Sequence, residues 1–184
     1  MFGPASSIFY EIDDRMKCYV IHVADCFARK RYVDALKEKA GAIVFDAIVD
    51  KEDGNNGCNQ SHFAVYRSCP EEEDLLVFED DCEILHNDFL EPLQYKAKYD
   101  VVFLGVNALG KEGSYGTHAL WISPRGRAKF LEWIGKRKAP FPPIDHLWNE
   151  VIREYGLRVW RSVPVDKYVR QAKFVKSMIT GQIR

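Results

Sequence analysis

The sequence lacks any apolar run that approaches the roughly 20 residues of a membrane-spanning helix. Its residues 1–14 also lack the basic start and the apolar centre of a secretory signal peptide. We therefore expect a protein without a transmembrane segment, located in the cytoplasm.

An excess of charge of either sign is missing as well. The chain carries 26 lysines and arginines against 27 acids, which gives a formal net charge of −1. Proteins that bind nucleic acid through its phosphates present a basic surface. The composition therefore argues against a nucleic-acid partner.

Cysteine occurs five times, an odd number, and no two cysteines form a Cys-x-x-Cys pair. Free thiols in a reducing compartment are the expected state. Two pairs, Cys58/His62 and Cys82/His86, have the i, i+4 spacing that places two metal ligands on one helical face. Structural zinc sites usually show closer ligand pairs, and free cysteine commonly packs as a small apolar residue. We expect buried thiols, with a zinc site as the alternative.

Short β-branched apolar runs alternate with amphipathic helical segments along most of the chain. This order predicts a three-layer α/β fold with a mostly parallel central sheet. The predicted helices include 59–68, 88–94 capped by Asn87, a helix that starts at Ser123-Pro124, and 144–155 ended by Gly156, and residues 105–116 are a predicted glycine-rich loop.

The 184 residues are enough for one domain with a buried core. We divide the chain into an N-terminal arm (1–16), one domain (17–161) and a basic tail (162–184).

The tail either packs on the domain or links it to a missing domain. Its cations are typical of a solvated surface, and the alternative is a set of charges near a bound phosphate or an anionic partner. They are Lys167, Arg170, Lys173, Lys176 and Arg184.

An acidic strand end is the most informative stretch of the sequence. Residues 75–85 read Leu-Leu-Val-Phe-Glu-Asp-Asp-Cys-Glu-Ile-Leu, an apolar run that leads directly into Glu79, Asp80 and Asp81. In open α/β sheets, ligands bind beyond the carboxyl ends of the strands. Carboxylates there suit a hard divalent cation. The alternative is an acidic turn that keeps a strand end soluble.

Several motifs occur in an order that resembles glycosyltransferase family 25. Residues 57–62 read Gly-Cys-Asn-Gln-Ser-His, and residues 76–81 read Leu-Val-Phe-Glu-Asp-Asp. They are followed by Val-Val-Phe-Leu-Gly at 101–105, Gly-Thr-His-Ala-Leu-Trp-Ile-Ser at 116–123 and Pro-Ile-Asp at 143–145. That family includes bacterial lipooligosaccharide galactosyltransferases and collagen-type galactosyltransferases.

The resemblance covers residues 17–160 and implies a GT-A type, Rossmann-like fold. It also implies a nucleotide-diphosphate sugar donor, with UDP as the expected nucleotide, and Mn²⁺ or Mg²⁺ as cofactor. The implied reaction transfers a sugar to a glycan or glycoprotein hydroxyl with inversion at the anomeric carbon. The chain departs from the family at 22–25, where it reads His-Val-Ala-Asp, and it is short. A minimal or viral-type member, acting in the host cytoplasm if viral, or one domain of a longer enzyme fits this length.

Within this resemblance, the strand-end acids are the expected metal site. Side chains alternate along a strand, so Glu79 and Asp81 should face together, and Asp80 should turn away or toward the donor sugar. We expect Asp81 as a metal ligand, Glu79 as a direct or water-bridged ligand, and Asp80 as an acceptor from sugar hydroxyls. His118 is the expected third ligand, since imidazole suits transition metals, and a structural hydrogen bond is its alternative role.

An inverting transfer needs a base to take the proton from the acceptor hydroxyl. Asp145 is the candidate, because it lies in the first turn of a predicted helix, where the helix dipole favours the ionised carboxylate. Acids also occupy first turns for stability alone, and this is the alternative role.

The donor is expected to contact the end of the first strand, at Val23, Ala24 and Asp25. Arg31 on the next helix is the expected phosphate ligand, with a plain surface charge as the alternative. Ser61 and His62 follow a glycine-containing loop near a helix start, a position that suits an anion or a sugar hydroxyl. For His62, a hydrogen bond in the core is the alternative role.

Two other functions remain open on the sequence alone. A magnesium-dependent phosphohydrolase or nuclease also uses acids at strand ends, but it would need a second acid cluster for a two-metal site. A non-catalytic module that binds nucleotide sugars or glycans is the other alternative.

Overall fold

The computed structural model describes residues 15–110, 113–165 and 167–172. Most of the predicted N-terminal arm and part of the predicted tail, including Lys173, Lys176 and Arg184, lie outside these residues. Within the described ranges, no helix has the length and apolar character needed to cross a bilayer.

The described residues form ten strands and four α-helices, and two 3-10 segments lie at Phe27–Arg29 and Glu91–Lys98. The strands are β1 (Met16–His22), β2 (Ile43–Asp46), β3 (Asp74–Glu79), β4 (Cys82–Ile84), β5 (Val101–Gly105), β6 (Ala108–Gly110), β7 (Gly113–Tyr115), β8 (Ala119–Ile122), β9 (Val159–Arg161) and β10 (Val169–Gln171). The helices are α1 (Lys30–Ala40), α2 (Gly54–Ser68), α3 (Pro124–Gly135) and α4 (Ile144–Tyr155).

In the described part of the chain, six strands form the main sheet in the order β2-β1-β3-β8-β5-β9. Strands β1 and β2, β1 and β3, and β5 and β9 pair in parallel. Strand β8 runs antiparallel to both of its neighbours, β3 and β5. Five strands therefore point one way and β8 points the other, which confirms a mostly parallel α/β sheet.

Strand β3 shows why the sheet is covered on both faces. Leu75 and Val77 point to one face, into a core cluster with apolar side chains of α2, α3 and α4. Leu76 and Phe78 point to the other face and pack against α1 and residues 89–93. All four side chains are fully buried. Their alternation builds the three layers expected from the sequence.

Local capping chemistry fixes several helix ends. Helix α3 starts after Ser123, whose hydroxyl accepts a hydrogen bond from the Gly126 amide at 3.0 Å. Helix α4 has the predicted bounds, and Gly156 ends it with a left-handed φ of 58°. Helix α2 begins at Gly54, five residues before the predicted start at Asn59, because Asp53 caps it.

Three other elements differ from the sequence interpretation. The helix predicted after Asn87 is the 3-10 segment Glu91–Lys98. The predicted loop 105–116 contains a hairpin of β6 and β7. Strand β10, in the predicted tail, pairs with β4 to form a two-stranded ribbon beside the main sheet. Each of these strands is three residues long, too short for a clear periodic signal.

Candidate functional site

The carboxyl ends of β1, β3 and β5 meet at one edge of the sheet, and the reversed β8 begins at the same edge. Ala119, the first residue of β8, pairs with Phe78 near the end of β3 and with Gly105 at the end of β5. The Glu79 amide donates a hydrogen bond to the His118 carbonyl at 3.0 Å. The topology thus brings His118 and the acidic strand end together.

Two clefts open at this edge, and Cys58 and Glu79 line both of them. The first, called the α4 cleft, has a volume of about 250 Å³ and lies beside the start of α4. Its lining includes Thr117, His118 and Asp145. The second, called the β1 cleft, has a volume of about 110 Å³ and is lined by Val23, Arg29, Asp50, Ser61, His62 and Asp80, among others.

Glu79 lies between the clefts as an ionised carboxylate. Its Oε1 accepts a hydrogen bond from Thr117 Oγ1 at 2.8 Å and lies 3.4 Å from His62 Nε2. Burial would raise the pKa of Glu79, but His62, Thr117 and His118 outweigh it and lower the pKa to about 2. A fixed negative charge at this junction suits a bound cation.

Asp80 is held by the protein itself. Its Oδ2 accepts hydrogen bonds from His22 Nδ1 at 2.9 Å and from the Val23 amide at 3.1 Å, and its Oδ1 pairs with the Arg29 guanidinium. It is 3% exposed. The predicted contact between Asp80 and a sugar hydroxyl would use carboxylate oxygens that already bind the end of β1.

Asp81 has the chemistry of a metal ligand. It is 5% exposed, and its Oδ2 accepts a hydrogen bond from Gln171 Nε2 at 3.0 Å. Its buried Oδ1 has no hydrogen-bond partner among the described residues. Burial and the nearby Glu79 carboxylate raise the pKa of Asp81 to about 6, although Arg29 opposes them. A hard cation would satisfy this oxygen, so the donor set fits a divalent metal.

The predicted trio Glu79, Asp81 and His118 is not the closest group of ligand atoms. Among the described histidines, cysteines and acids, the trio whose ligand atoms all lie within 4.8 Å of one another is Cys58, His62 and Glu79. His118 is 1% exposed and lines the α4 cleft on the other side of Glu79.

Asp145 lies across the α4 cleft from Glu79, in the first turn of α4. Its Oδ2 accepts a hydrogen bond from the Gly116 amide at 3.0 Å, and its Oδ1 accepts one from the His146 amide at 2.9 Å. These bonds hold a half-buried carboxylate at the wall of the α4 cleft.

The arginine that lines the β1 cleft is Arg29, whereas the predicted phosphate ligand Arg31 lies away from both clefts. Arg31 is exposed on α1, where its guanidinium lies 4.6 Å above the ring of Tyr32, and it lines neither cleft. Arg29 is 7% exposed and contacts both Asp80 and Asp81. The 3-10 turn Phe27–Arg29 precedes α1 and carries this side chain. Two adjacent acids at a buried strand end need a cation nearby to compensate their charge. That requirement could have predicted an arginine close to β1.

Of the three residues predicted after β1, only Val23 lines the β1 cleft. Ala24 and Asp25 are exposed and line neither cleft. In this structure they do not support the predicted donor contacts.

Ser61 and Gly57 hold α2 against the loop after β2. The Ser61 hydroxyl accepts a hydrogen bond from the Ile48 amide at 2.8 Å and donates one to the Gly57 carbonyl at 2.8 Å. A β-carbon on Gly57 would lie 2.7 Å from the Ile48 carbonyl oxygen. Both residues therefore shape the wall of the β1 cleft.

The second cysteine–histidine pair is not a metal site. Cys82 is 1% exposed in the core, whereas His86 is exposed on the surface. The five cysteines are all described, and all are free thiols.

Comparison with known proteins agrees with this geometry. Residues 52–111 match the sequence profile of glycosyltransferase family 25 (LPS biosynthesis protein). No curated protein sequence matches the chain significantly.

Two solved structures show the same architecture. One is a Drosophila β1,4-galactosyltransferase 7 mutant in complex with manganese, UDP-Gal and xylobiose, with a TM-score of 0.57 and 12% identity over 85% of this chain and 70% of that chain. The other is the catalytic domain of Drosophila β1,4-galactosyltransferase 7 with xylobiose, with a TM-score of 0.53 and 16% identity over 84% of this chain and 66% of that chain. At these identities the likeness shows a shared fold, that of the GT-A glycosyltransferases. The matched segment resembles family 25, and together with the shared fold it supports a glycosyltransferase.

Proposed function

We propose that the chain is a metal-dependent, inverting glycosyltransferase that moves a sugar from a nucleotide-diphosphate sugar, with UDP as nucleotide, to a glycan or glycoprotein hydroxyl. The observation that carries this proposal is the meeting of two clefts at Glu79, with Asp145 across one of them. The Drosophila enzyme of the same fold was captured with manganese, UDP-Gal and a disaccharide, which supports this class of donor and acceptor.

Asp81, Glu79 and His118 are the residues that would hold Mn²⁺ or Mg²⁺. The unsatisfied Oδ1 of Asp81 and the ionised state of Glu79 support this assignment. A divalent ion supplies charge stabilisation for a leaving diphosphate, an effect worth several kcal/mol. Arg29 partly offsets the repulsion between the adjacent Asp80 and Asp81 carboxylates.

Asp145 acts as the base in this proposal. The Gly116 amide holds its carboxylate, and the start of α4 favours its ionised form. Asp145 takes the proton from the acceptor hydroxyl while that oxygen attacks the anomeric carbon from the face opposite the diphosphate. A single displacement of this kind inverts the configuration.

The β1 cleft suits the nucleotide and the α4 cleft suits the acceptor. Val23 and Asp50 line the β1 cleft, and the Asp50 carboxylate can accept hydrogen bonds from ribose hydroxyls. The α4 cleft is larger and holds the base. The sugar would bridge them beside Cys58 and Glu79, which line both.

Hydrolysis and transfer assays on a panel of nucleotide sugars, with and without Mn²⁺, test the proposal. We expect metal-dependent release of the nucleoside diphosphate and an inverted product by NMR when a glycan acceptor is present. Cleavage of phosphoesters or DNA without turnover of any nucleotide sugar would replace the proposal with a phosphohydrolase. Binding without turnover across a broad acceptor panel would identify a non-catalytic module.

A further inference from the structure

Cys58, His62 and Glu79 form a cluster that the proposed transfer reaction does not explain. Cys58 and His62 lie one turn apart on α2, and both face the end of β3. The Sγ of Cys58, a ring nitrogen of His62 and a carboxylate oxygen of Glu79 all lie within 4.8 Å of one another. Ligand atoms around a tetrahedral zinc, with bonds of about 2.0–2.3 Å, lie about 3.3–3.8 Å apart. A side-chain shift of about 1 Å would close the cluster on an ion.

The buried nitrogen of His62 points into this cluster. His62 is 1% exposed, its Nε2 makes no hydrogen bond to any described residue, and it lies 3.4 Å from Glu79 Oε1. At this distance the Glu79 carboxylate is a distant partner for a buried ring nitrogen. A cation between the imidazole, the thiol and the carboxylate would bind all three groups directly.

The surroundings of His62 allow the tautomer that binds metal. Its Nδ1 lies 3.1 Å from the Tyr66 hydroxyl oxygen, which also accepts the Trp148 Nε1–H at 3.1 Å. A hydroxyl oxygen has two lone pairs, so it can accept the Nδ1–H as well. That arrangement leaves the Nε2 lone pair for a metal and fixes the ring, as outer partners of zinc-binding histidines do.

We propose that Cys58, His62 and Glu79 form a site for zinc, separate from the Mn²⁺ site of the transfer reaction except for the shared Glu79. Thiolate and imidazole ligands favour zinc over manganese, and three protein ligands leave a fourth position open to water. The Cys58 thiol loses its proton to solvent as the Zn–S bond forms. Because Cys58 lines both clefts, the ion can enter from either side.

A reactive-nucleophile role for Cys58 is less consistent with the structure. Burial and the carboxylates of Glu79 and Asp145 raise the pKa of Cys58 well above its ordinary value. Nucleophilic cysteines have a lowered pKa. The same carboxylates attract a cation.

Zinc in this site would withhold Glu79 from the Mn²⁺ of the donor complex and occupy the junction between the clefts. We therefore infer that zinc inhibits turnover. This consequence rests on the proposed function, whereas zinc binding itself does not.

Cobalt titration of the metal-free, full-length protein tests the site without any donor. We expect one equivalent of Co²⁺ to produce a thiolate-to-cobalt charge-transfer band, which Zn²⁺ then abolishes by displacement. Cys58→Ser should lose the band and bind Zn²⁺ more weakly. Removing a residue that only hydrogen-bonds a metal ligand costs roughly 10–100-fold in affinity, and the loss of the ligand Cys58 should cost more. Cys26→Ser, at a half-buried cysteine outside both clefts, is the matched control and should keep the band. No band in the wild type, or a band that persists in Cys58→Ser, would overturn the proposal.

Alkylation of the wild type under native conditions gives a second readout if Cys58→Ser does not fold. We expect Zn²⁺ to protect Cys58 from the reagent, as measured by peptide mass, and to leave Cys26 unprotected. Equal labelling of Cys58 with and without Zn²⁺ would contradict the site. Turnover assays with added Zn²⁺ form a separate arm. If no nucleotide sugar is turned over, the proposed function fails while the metal-binding result stands.

Discussion

The imidazole ring of His118 occupies the space that a β-carbon on Gly105 would fill. Gly105 ends β5 and His118 immediately precedes β8, so the two residues meet where the strands pair. A side chain at residue 105 would also meet Val169 of β10 at 2.7 Å. The missing side chain therefore sets the depth at which His118 lies in the α4 cleft.

Gly105→Ala should displace His118 and destabilise the protein. An added methyl group in a packed core typically costs about 1–3 kcal/mol. We expect a lower free energy of unfolding in urea and weaker Mn²⁺ binding by calorimetry. Gly135→Ala is the control, because no atom lies within 4 Å of the added carbon; it should keep wild-type Mn²⁺ affinity and should not lower the free energy of unfolding. Wild-type Mn²⁺ affinity in Gly105→Ala would argue against a metal role for His118.

Arg29→Ala should destabilise the protein far more than Arg31→Ala. Breaking a buried ion pair by removing one partner costs about 3–5 kcal/mol, because the other charge stays buried. Arg31 is exposed, so its loss should change the free energy of unfolding by less than about 0.5 kcal/mol. Chemical denaturation of both variants measures the difference. Equal losses of stability in the two variants would show that Arg29 does not compensate the negative charge of Asp80 and Asp81.

Asp81→Asn should abolish most metal-dependent turnover. Its Oδ1 is the unsatisfied carboxylate oxygen of the site, and an amide is a weaker ligand for a hard cation. We expect Mn²⁺ affinity to fall by at least the roughly 10–100-fold that is typical when a hydrogen-bond partner of a metal ligand is removed. Asp34→Asn, at an exposed acid of α1, is the control. Turnover that keeps its full metal dependence in Asp81→Asn would remove Asp81 from the metal site.

Asp145→Asn should lower kcat and leave the KM for the donor close to wild type. Loss of a positioned general base typically costs about 10²–10⁴-fold in rate. Glu150→Gln on the exposed side of the same helix is the control and should keep the wild-type rate. Steady-state kinetics with a glycan acceptor separate kcat from KM. A full transfer rate in Asp145→Asn would mean that another group takes the proton.

Asp100 should make stability depend on pH in the acid range. Burial would raise the pKa of Asp100, but hydrogen bonds from the Arg158 amide at 2.8 Å and from Arg125 at 2.7 Å lower it. An acid whose pKa is lower in the folded state adds stability that is present above its unfolded pKa, about 3.9, and lost as pH falls through the folded value. Wild type should therefore exceed Asp100→Asn in free energy of unfolding near neutral pH.

Urea unfolding of both proteins across the acid range measures this difference. The gap should close as pH falls below about 4. A gap that stays constant with pH would show that Asp100 acts through packing and not through its charge.

The helices were largely predictable because capping and amphipathic spacing are local. Ser123 and Gly156 mark the ends of α3 and α4 where the sequence indicates them. Strand direction was not predictable, because the reversed β8 depends on pairing with β3 and β5 and not on its own residues. A four-residue apolar strand reads the same in either direction.

The acidic end of β3 was predictable for the same local reason, since an apolar run leads directly into three acids. The partners of these acids were not. Cys58 and His62 reach Glu79 only because α2 packs over β3, and Arg29 reaches Asp80 through a 3-10 turn. Such contacts depend on the rotation of each helix about its axis, which hydrophobic spacing fixes only approximately.

The β4–β10 ribbon should be part of any active fragment, because residues at its end contact Asp81. Gln171 donates to the Asp81 carboxylate at 3.0 Å, and the Ala172 amide donates to the Asp81 carbonyl at 2.7 Å. A fragment that ends at residue 161 would keep the six-stranded sheet but uncover Asp81 on this side. Expression boundaries should consequently extend past Ala172.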